Sequence, residues 1–188
     1  MAIETLLNAI GSAFNTALKP KAKNIAEVAG PFTIDGIKDD IKVAPAVLYG
    51  SLGLKATEDT ELQGMGPAYA GRFVAIVVGK HAKSSVAANR EAHVLAEAVG
   101  VLLRRERWGL EYVTDAYNIS IEPMATVRSK QSNLCFWRVM WWHNLALDGE
   151  KILNDWQLAD FEGYDAEHYL PGADSATADP VMESQKTY

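Results

Sequence analysis

Cys135 and His143 are the two side chains of this sequence whose chemistry would pair most directly, as a thiol nucleophile and its general base. A dyad of this kind needs the two groups within hydrogen-bond reach. Both residues have the same parity in one apolar segment, so they share a face of a predicted strand, about 26 Å apart. They therefore cannot form a dyad. Because free cysteines are usually interior, we interpret Cys135 as a small buried apolar residue.

The segment from Gly64 to Gly71, GMGPAYAG, superficially resembles a phosphate-binding loop. A P-loop requires a lysine and a serine or threonine, and it presents its amides from the start of a helix. This segment has none of these residues and precedes a predicted strand. We interpret it as a mobile surface loop. An alternative stays open, in which it is the lid of a small ligand-binding or enzymatic domain.

The other titratable side chains do not have the spacing of metal ligands. His81, His93 and His168 fall in a loop, a helix and the C-terminal tail, without a pair four residues apart. The acids at 39–40 and 58–61 lack the spacing of a calcium loop. The single cysteine excludes an intramolecular disulfide and zinc sites of paired cysteines. We therefore predict no catalytic residue, no cofactor and no metal site, and hence no enzyme.

Two groups of residues are candidates for contacts between copies of the chain. Arg104, Arg105 and Arg107 are placed in the last turn of a predicted helix, where cations suit the helix dipole, but they could also form inter-subunit salt bridges. The even-numbered face of the segment 134–147 combines aromatic residues, methionine and arginine, a composition enriched at interfaces. The candidate interface residues are Phe136, Arg138, Met140 and Trp142 on that face, with Arg104 and Arg105. The alternative is that the N-terminal helix, or tail residues such as Trp156 and Phe161, cover the face.

Hydrophobic periodicity indicates the elements that position these residues. Amphipathic helices are predicted over 2–18 and from Ser84 or Ser85 to a stop at Gly109, the second burying Val94, Leu95, Ala98, Val99, Leu102 and Leu103. Strands are predicted over 72–80, 117–122 and 134–147, with one or two weaker strands at 25–28 and 46–54. Tyr117, Ile119 and Ile121 are expected to share one face. The prediction is an α+β fold, with a mixed four- to five-stranded sheet and two main helices packed on one face.

The charge of the chain is unevenly distributed. Residues 1–158 contain 17 basic and 17 acidic residues, whereas residues 159–188 contain seven acids and Lys186. We predict a neutral domain over 1–158 and a flexible acidic tail over 159–188. A neutral domain gives no electrostatic case for binding nucleic acid. The first residues lack the pattern of a secretion signal, and no stretch reaches the 18 apolar residues of a membrane span, which predicts synthesis in the cytoplasm and no membrane partner.

The order and texture of these segments resemble the tail terminator family of long-tailed phages, in the version found in Mu-like phages and prophages. The resemblance covers residues 2–147. It lies in the opening amphipathic helix, a long polar loop, RFVAIVVGK, SSVAANREAHVLAEAVGVLLRRERWG, AYNISIEPMATV and SNLCFWRVMWWHNLAL. None of these segments is a motif from which family contacts transfer residue by residue.

The resemblance implies a structural protein of the virion tail, assembled in the host cytoplasm. Such proteins form hexameric rings that cap the tail tube, end its polymerisation and provide the tail side of the head–tail junction. The implied partners are further copies of the chain, the tail tube protein and the head–tail connector, with DNA passing through the lumen without specific binding. A head completion or neck connector protein is the alternative within the same assembly class.

Deletion of residues 171–188 should leave the folded domain intact, because this segment has no hydrophobic periodicity. Thermal unfolding of the truncated and full-length chains should give the same midpoint. A clear fall in the midpoint would show that these residues pack against the domain.

Overall fold

The first helix forms because its apolar residues recur three and four positions apart, which puts them on one face. In the computed structural model, which describes residues 2–37, 40–41, 43–57, 68–81, 84–124 and 134–147, α1 spans Ala2–Leu18. Its buried face includes Leu6, Ile10 and Phe14, none of which has any exposed surface. Pro20 follows the end of the helix, as expected of a residue that cannot continue it.

Five strands of the described residues form one mixed sheet in the order β1-β2-β3-β5-β4. The strands are β1 (Asn24–Glu27), β2 (Ala46–Ala56), β3 (Ala68–Lys80), β4 (Tyr117–Pro123) and β5 (Leu134–Ala146). Only the β1–β2 pair is parallel among these; the others are antiparallel. A short helix, α2 (Ile34–Ile37), lies between β1 and β2. The predicted mixed sheet is confirmed, with five strands.

The longest helix of the described residues, α3 (Ser85–Leu103), follows β3 and packs on the same face of the sheet as α1. The Ser84 hydroxyl accepts a hydrogen bond from the Ala87 amide, which confirms the predicted cap. The odd-numbered residues of the central strands fill the core beneath the two helices. They include Val47, Tyr49, Phe73, Ala75, Val77, Val139, Trp141 and Leu145. The prediction of two main helices on one face is therefore confirmed.

The predicted buried face of α3 was partly wrong. Val94 is 51% exposed, and the buried residues include Ala88, Ala92 and Ala96 beside Leu95, Val99 and Leu103. Small alanines face the sheet because the helix backbone approaches β3 closely at Gly79. The helix also ends at Leu103, so Arg104, Arg105 and Arg107 follow it instead of occupying its last turn, and Gly109 is not its stop.

Two further predictions differ from the structure at strand ends. β3 begins at Ala68, so residues 68–71 belong to a strand paired on both edges and not to a surface loop. Residues 64–67 lie outside the described residues. In β4, the register shifts between Tyr117 and Ser120, where Asn118 has a φ of 50°. This irregularity moves Tyr117 to the face opposite Ile119 and Ile121, because an extra residue in one strand reverses the alternation.

The described residues include no helix long and apolar enough to cross a membrane. The predicted boundary at residue 158 and the predicted acidic tail over 159–188 lie outside the described residues, as do Trp156 and Phe161.

Replacement of Gly79 by alanine should destabilise the fold by about 1–3 kcal/mol. An added Cβ would overlap the carbonyl oxygen of Ala88 and lie 2.8 Å from the amide nitrogen of Ala92, so β3 and α3 would have to separate. Gly100→Ala is the matched control, because its Cβ would meet the flexible end of Ile121 and alanine favours a helix. Urea unfolding should show the larger loss for Gly79→Ala. Equal losses would contradict the close backbone approach.

Candidate subunit interface on the open face of the sheet

Among the described residues, those that pack on the face of the sheet opposite the helices lie at one end of it. The connection between β1 and β2 folds over this end, and Ile37 of α2 is fully buried there. It forms a second hydrophobic core with Leu48, Ile76 and other even-numbered strand residues. Val28, Phe32, Ile34, Ile41 and Ala44 of the same connection pack around this core. α1 does not cover this face, because it packs with α3 on the other one.

The structure places two of the candidate interface residues in or beside this covered end. Phe136 is only 5% exposed and belongs to the second core, so we remove it from the candidate interface. Arg138 lies opposite Glu122 of β4, and its Nη2 donates a hydrogen bond of 2.7 Å to Glu122 Oε2. Its Nε atom is buried without a hydrogen-bond partner among the described residues. Arg138 therefore borders the open part of the face, held by a partner on its own sheet.

The other two candidates lie further along the same face with Arg72 of β3: Met140 is partly buried at the border of the second core, and Trp142 lies beyond it. Arg72 is the register partner of Trp142, and its guanidinium carbon lies 5.7 Å from the centroid of the Trp142 ring. Arg72 Nη2 also lies 3.3 Å from Met140 Sδ. Tyr117 is the partner of Trp142 on β4. We call Arg72, Tyr117, Met140 and Trp142 the Trp142 patch.

The side chains of the Trp142 patch are ordered by contacts within one copy of the chain. A cation over an aromatic ring at an exposed site contributes about 0.5–1 kcal/mol. The Tyr117 hydroxyl donates a hydrogen bond of 2.7 Å to Asn144 Oδ1, which fixes the ring at the other side of Trp142. Arg72 is exposed, and the other three side chains are partly exposed. The patch therefore presents an aromatic and cationic surface whose side chains need little further ordering.

Arg104 and Arg105 lie at the same edge of the sheet as β4. Arg104 forms an isolated β-bridge with Ala116, the residue before Tyr117. Since β5 pairs with the inner edge of this part of the chain, the bridge lies on the outer edge. Both arginines are exposed, whereas Arg107 is paired with Asp115. The structure thus puts Arg104 and Arg105 near the β4 edge, without a described contact to the Trp142 patch.

The structure does not bring Cys135 and His143 together, since they lie near opposite ends of β5. The Cys135 thiol donates to the Ser85 carbonyl at 3.4 Å, and burial raises its pKa, which disfavours the reactive thiolate. His143 is fully buried between Trp108 and Thr114. Its Nε2 accepts from Trp108 Nε1 at 3.1 Å, and its Nδ1 lies 2.8 Å from the Thr114 carbonyl oxygen. These two contacts fix a neutral ring that donates from Nδ1 and accepts at Nε2.

Among the described residues, no group of three or more histidine, cysteine or acidic side chains is arranged to hold a metal ion. No protein-family model matches this chain, and no curated protein matches it significantly. The resemblance to tail terminators therefore rests on the sequence pattern alone.

Sequence reasoning missed Arg72 and Tyr117 as members of the patch. Arg72 was predicted only as the first residue of a strand, and Tyr117 was wrongly predicted to share a face with Ile119 and Ile121. Both errors concern pairing: which residue lies opposite Trp142 depends on the register of three strands and on the irregularity in β4. His143 interrupts the apolar face of β5, which signals a buried polar contact. Its partners, Trp108 and Thr114, come from the connection between α3 and β4 and could not be identified from the sequence.

The buried His143 should make the stability of the fold depend on pH. Burial lowers its pKa below the usual value of 6.5, with smaller opposing effects from Thr114 and Asp115. The unfolded chain therefore binds a proton as the pH falls below about 6.5 while the folded chain stays neutral, so stability is lost on acidification and is constant above that pH. The slope should reach at most about 1.4 kcal/mol per pH unit.

Urea unfolding at several pH values between 5 and 7.5 measures this dependence. His143→Gln keeps a donor and an acceptor at the site and cannot be protonated, so its stability should change less with pH than that of the unaltered chain. Parallel pH curves for the two chains would show that His143 does not cause the dependence.

Proposed function

We propose that this protein is a phage tail assembly protein that forms a hexameric ring, caps the tail tube and ends its polymerisation. In this role it forms the tail side of the head–tail junction, beside a head–tail connector protein. The observation that carries the proposal is the Trp142 patch, a preordered aromatic and cationic surface that begins at the border of the second core and continues beyond the β1–β2 connection.

The composition of the patch favours a contact with protein. Tryptophan, tyrosine, methionine and arginine are the residues enriched at interface cores, and tryptophan and arginine are frequent hot spots. The intramolecular contacts of Arg72 and Tyr117 reduce the entropy that association would otherwise cost. A partner that covers Trp142 would also desolvate the cation above it, which strengthens that interaction.

A ring requires the patch of one copy to contact a different surface of the next copy. The patch lies on the β4 side of the sheet, and β1 forms the opposite edge. Contact between the β4 side of one copy and a different surface of the next is heterologous, and such contacts give closed rings when the rotation per subunit is a fraction of a turn. Arg104 and Arg105, exposed near the β4 edge, are available for salt bridges across the same contact.

The balance of charge favours a ring through which DNA moves. Residues 1–158 carry equal numbers of acidic and basic side chains. A lumen without excess positive charge would release few counterions from DNA and would bind it weakly. The two-helix, five-stranded α+β fold is also the class that the tail terminator resemblance implies.

Replacement of Trp142 by alanine should abolish the ring while leaving a folded monomer. Negative-stain electron microscopy and mass photometry of the purified chain, alone and with tail tubes, measure assembly, and circular dichroism measures folding. Arg72→Ala should weaken assembly in the same way. Lys80→Ala is the matched control, because Lys80 is an exposed cation with the same parity near the other end of β3.

Three outcomes would contradict the proposal. A chain that stays monomeric and does not bind tube ends would exclude a tail terminator. Binding to head components but not to tail tube would indicate a neck connector. Unfolding of the Trp142→Ala monomer would place Trp142 in the core of one copy.

A further inference from the structure

The outer face of α3 carries apolar side chains that neither hydrophobic core includes. Val86, Val94 and Val101 are 61%, 51% and 72% exposed. With 3.6 residues per turn, these valines and the exposed Arg90 and Glu97 fall within about 80° of the helix circumference. Five large hydrophobic side chains are exposed among the described residues, and three of them lie on this one helix face. We call these five residues the outer α3 face.

The outer α3 face has a symmetry in its sequence that a single copy does not require. Val86 and Val101 lie equally far from the midpoint of the stretch, which falls between His93 and Val94. Arg90 and Glu97 lie equally far from the same midpoint. When two identical helices pack antiparallel about this midpoint, Val86 of each helix meets Val101 of the other helix. Arg90 of each helix likewise meets Glu97 of the other.

We propose that the outer α3 face pairs two copies of this chain antiparallel about a two-fold axis between His93 and Val94. Arg90 of each copy then lies beside Glu97 of the partner copy, and Val86 beside Val101. Both contacts occur twice, which is the property of an isologous interface. Opposite charges on the same face select this antiparallel register, because a parallel pairing in register would put like charges together.

Glu97 is held in position for such a contact. His93 Nε2 lies 3.3 Å from Glu97 Oε1, and the His93 ring is stacked on Trp137 of β5 with 4.3 Å between centroids. The Trp137 indole donates in turn to Asn89 Oδ1 at 3.0 Å. Among the described residues, Arg90 forms no ion pair, so its guanidinium is available to the second copy.

The contact is separate from the ring contact of the Trp142 patch, because α3 and the patch lie on opposite faces of the sheet. It therefore does not rest on the proposed function. One helix face buries less than the roughly 1,200 Å² of a standard stable interface, so the pairing should be weak and visible only at high protein concentration.

Sedimentation equilibrium of the full chain carrying Trp142→Ala tests the pairing without the ring contact, and Arg72→Ala replaces that background if Trp142→Ala does not fold. A monomer–dimer equilibrium is expected at hundreds of micromolar protein. Arg90→Glu and Glu97→Arg should each weaken the dimer at least about tenfold, because each puts like charges together at both symmetric positions. The chain with both reversals should dimerise as before.

Mixing the two single variants gives the sharpest result. A chain with Arg90→Glu and a chain with Glu97→Arg should form a heterodimer, since both symmetric positions then pair opposite charges again. Lys55→Glu is the matched control, because it makes the same charge change at an exposed position on β2. It should leave the dimer unchanged.

A chain that stays monomeric at every concentration would overturn the proposal. It would do so even if this helix face binds a different protein. Dimerisation that is insensitive to Arg90→Glu, or that the double reversal and the mixture fail to restore, would also overturn it. Loss of rings in the Trp142→Ala chain concerns the proposed function and leaves this result unaffected.

Discussion

The register of β3 between β2 and β5 is the constraint on which the rest of the structure depends. Its residues from Phe73 to Val78 have no exposed surface, and they alternate between the two cores. Phe73, Ala75 and Val77 face the helices, and Val74, Ile76 and Val78 face the second core. A slip of one residue would exchange these two sets. Since full burial of a residue such as valine or isoleucine contributes about 1.5–3 kcal/mol, the register is strongly fixed.

The same register decides where the second core ends and the Trp142 patch begins. Gly50 lies in the row of Val74 and Met140. A Cβ at Gly50 would lie 2.5 Å from the Val28 carbonyl oxygen and 2.6 Å from the Phe32 ring, so the β1–β2 connection packs on this row only because glycine occupies it. In the next row, Arg72 and Trp142 face each other beyond the packing of that connection. The position of the open surface thus follows from backbone packing at one residue.

On the helix side of the sheet, polar side chains hold residues 104–116, the connection between α3 and β4, against the core. Trp141 stacks on Phe73 at 5.9 Å and meets Phe14 edge to face, and His143 continues the same face toward Trp108 and Thr114. The hydrogen bonds of both His143 ring nitrogens offset the free-energy cost of burying this polar side chain. The connection is therefore held without a regular strand or helix of its own. Its attachment also places Arg104 at the β4 edge.

The sequence by itself determined the elements whose periodicity is strong: α1, the central apolar strand, the odd-numbered face of β5 and the α+β class. These depend on local spacing, which a single chain reveals. It also determined the charge balance of residues 1–158.

The tertiary structure alone decided which side chains share a surface. Phe136 and Trp142 have the same parity on one strand, yet the β1–β2 connection buries the first and leaves the second partly exposed. Val94 was misassigned because α3 is apolar on several sides, and only the close approach at Gly79 selects its alanine face for burial. Burial at these positions depends on what distant segments cover, and local periodicity contains no information about that.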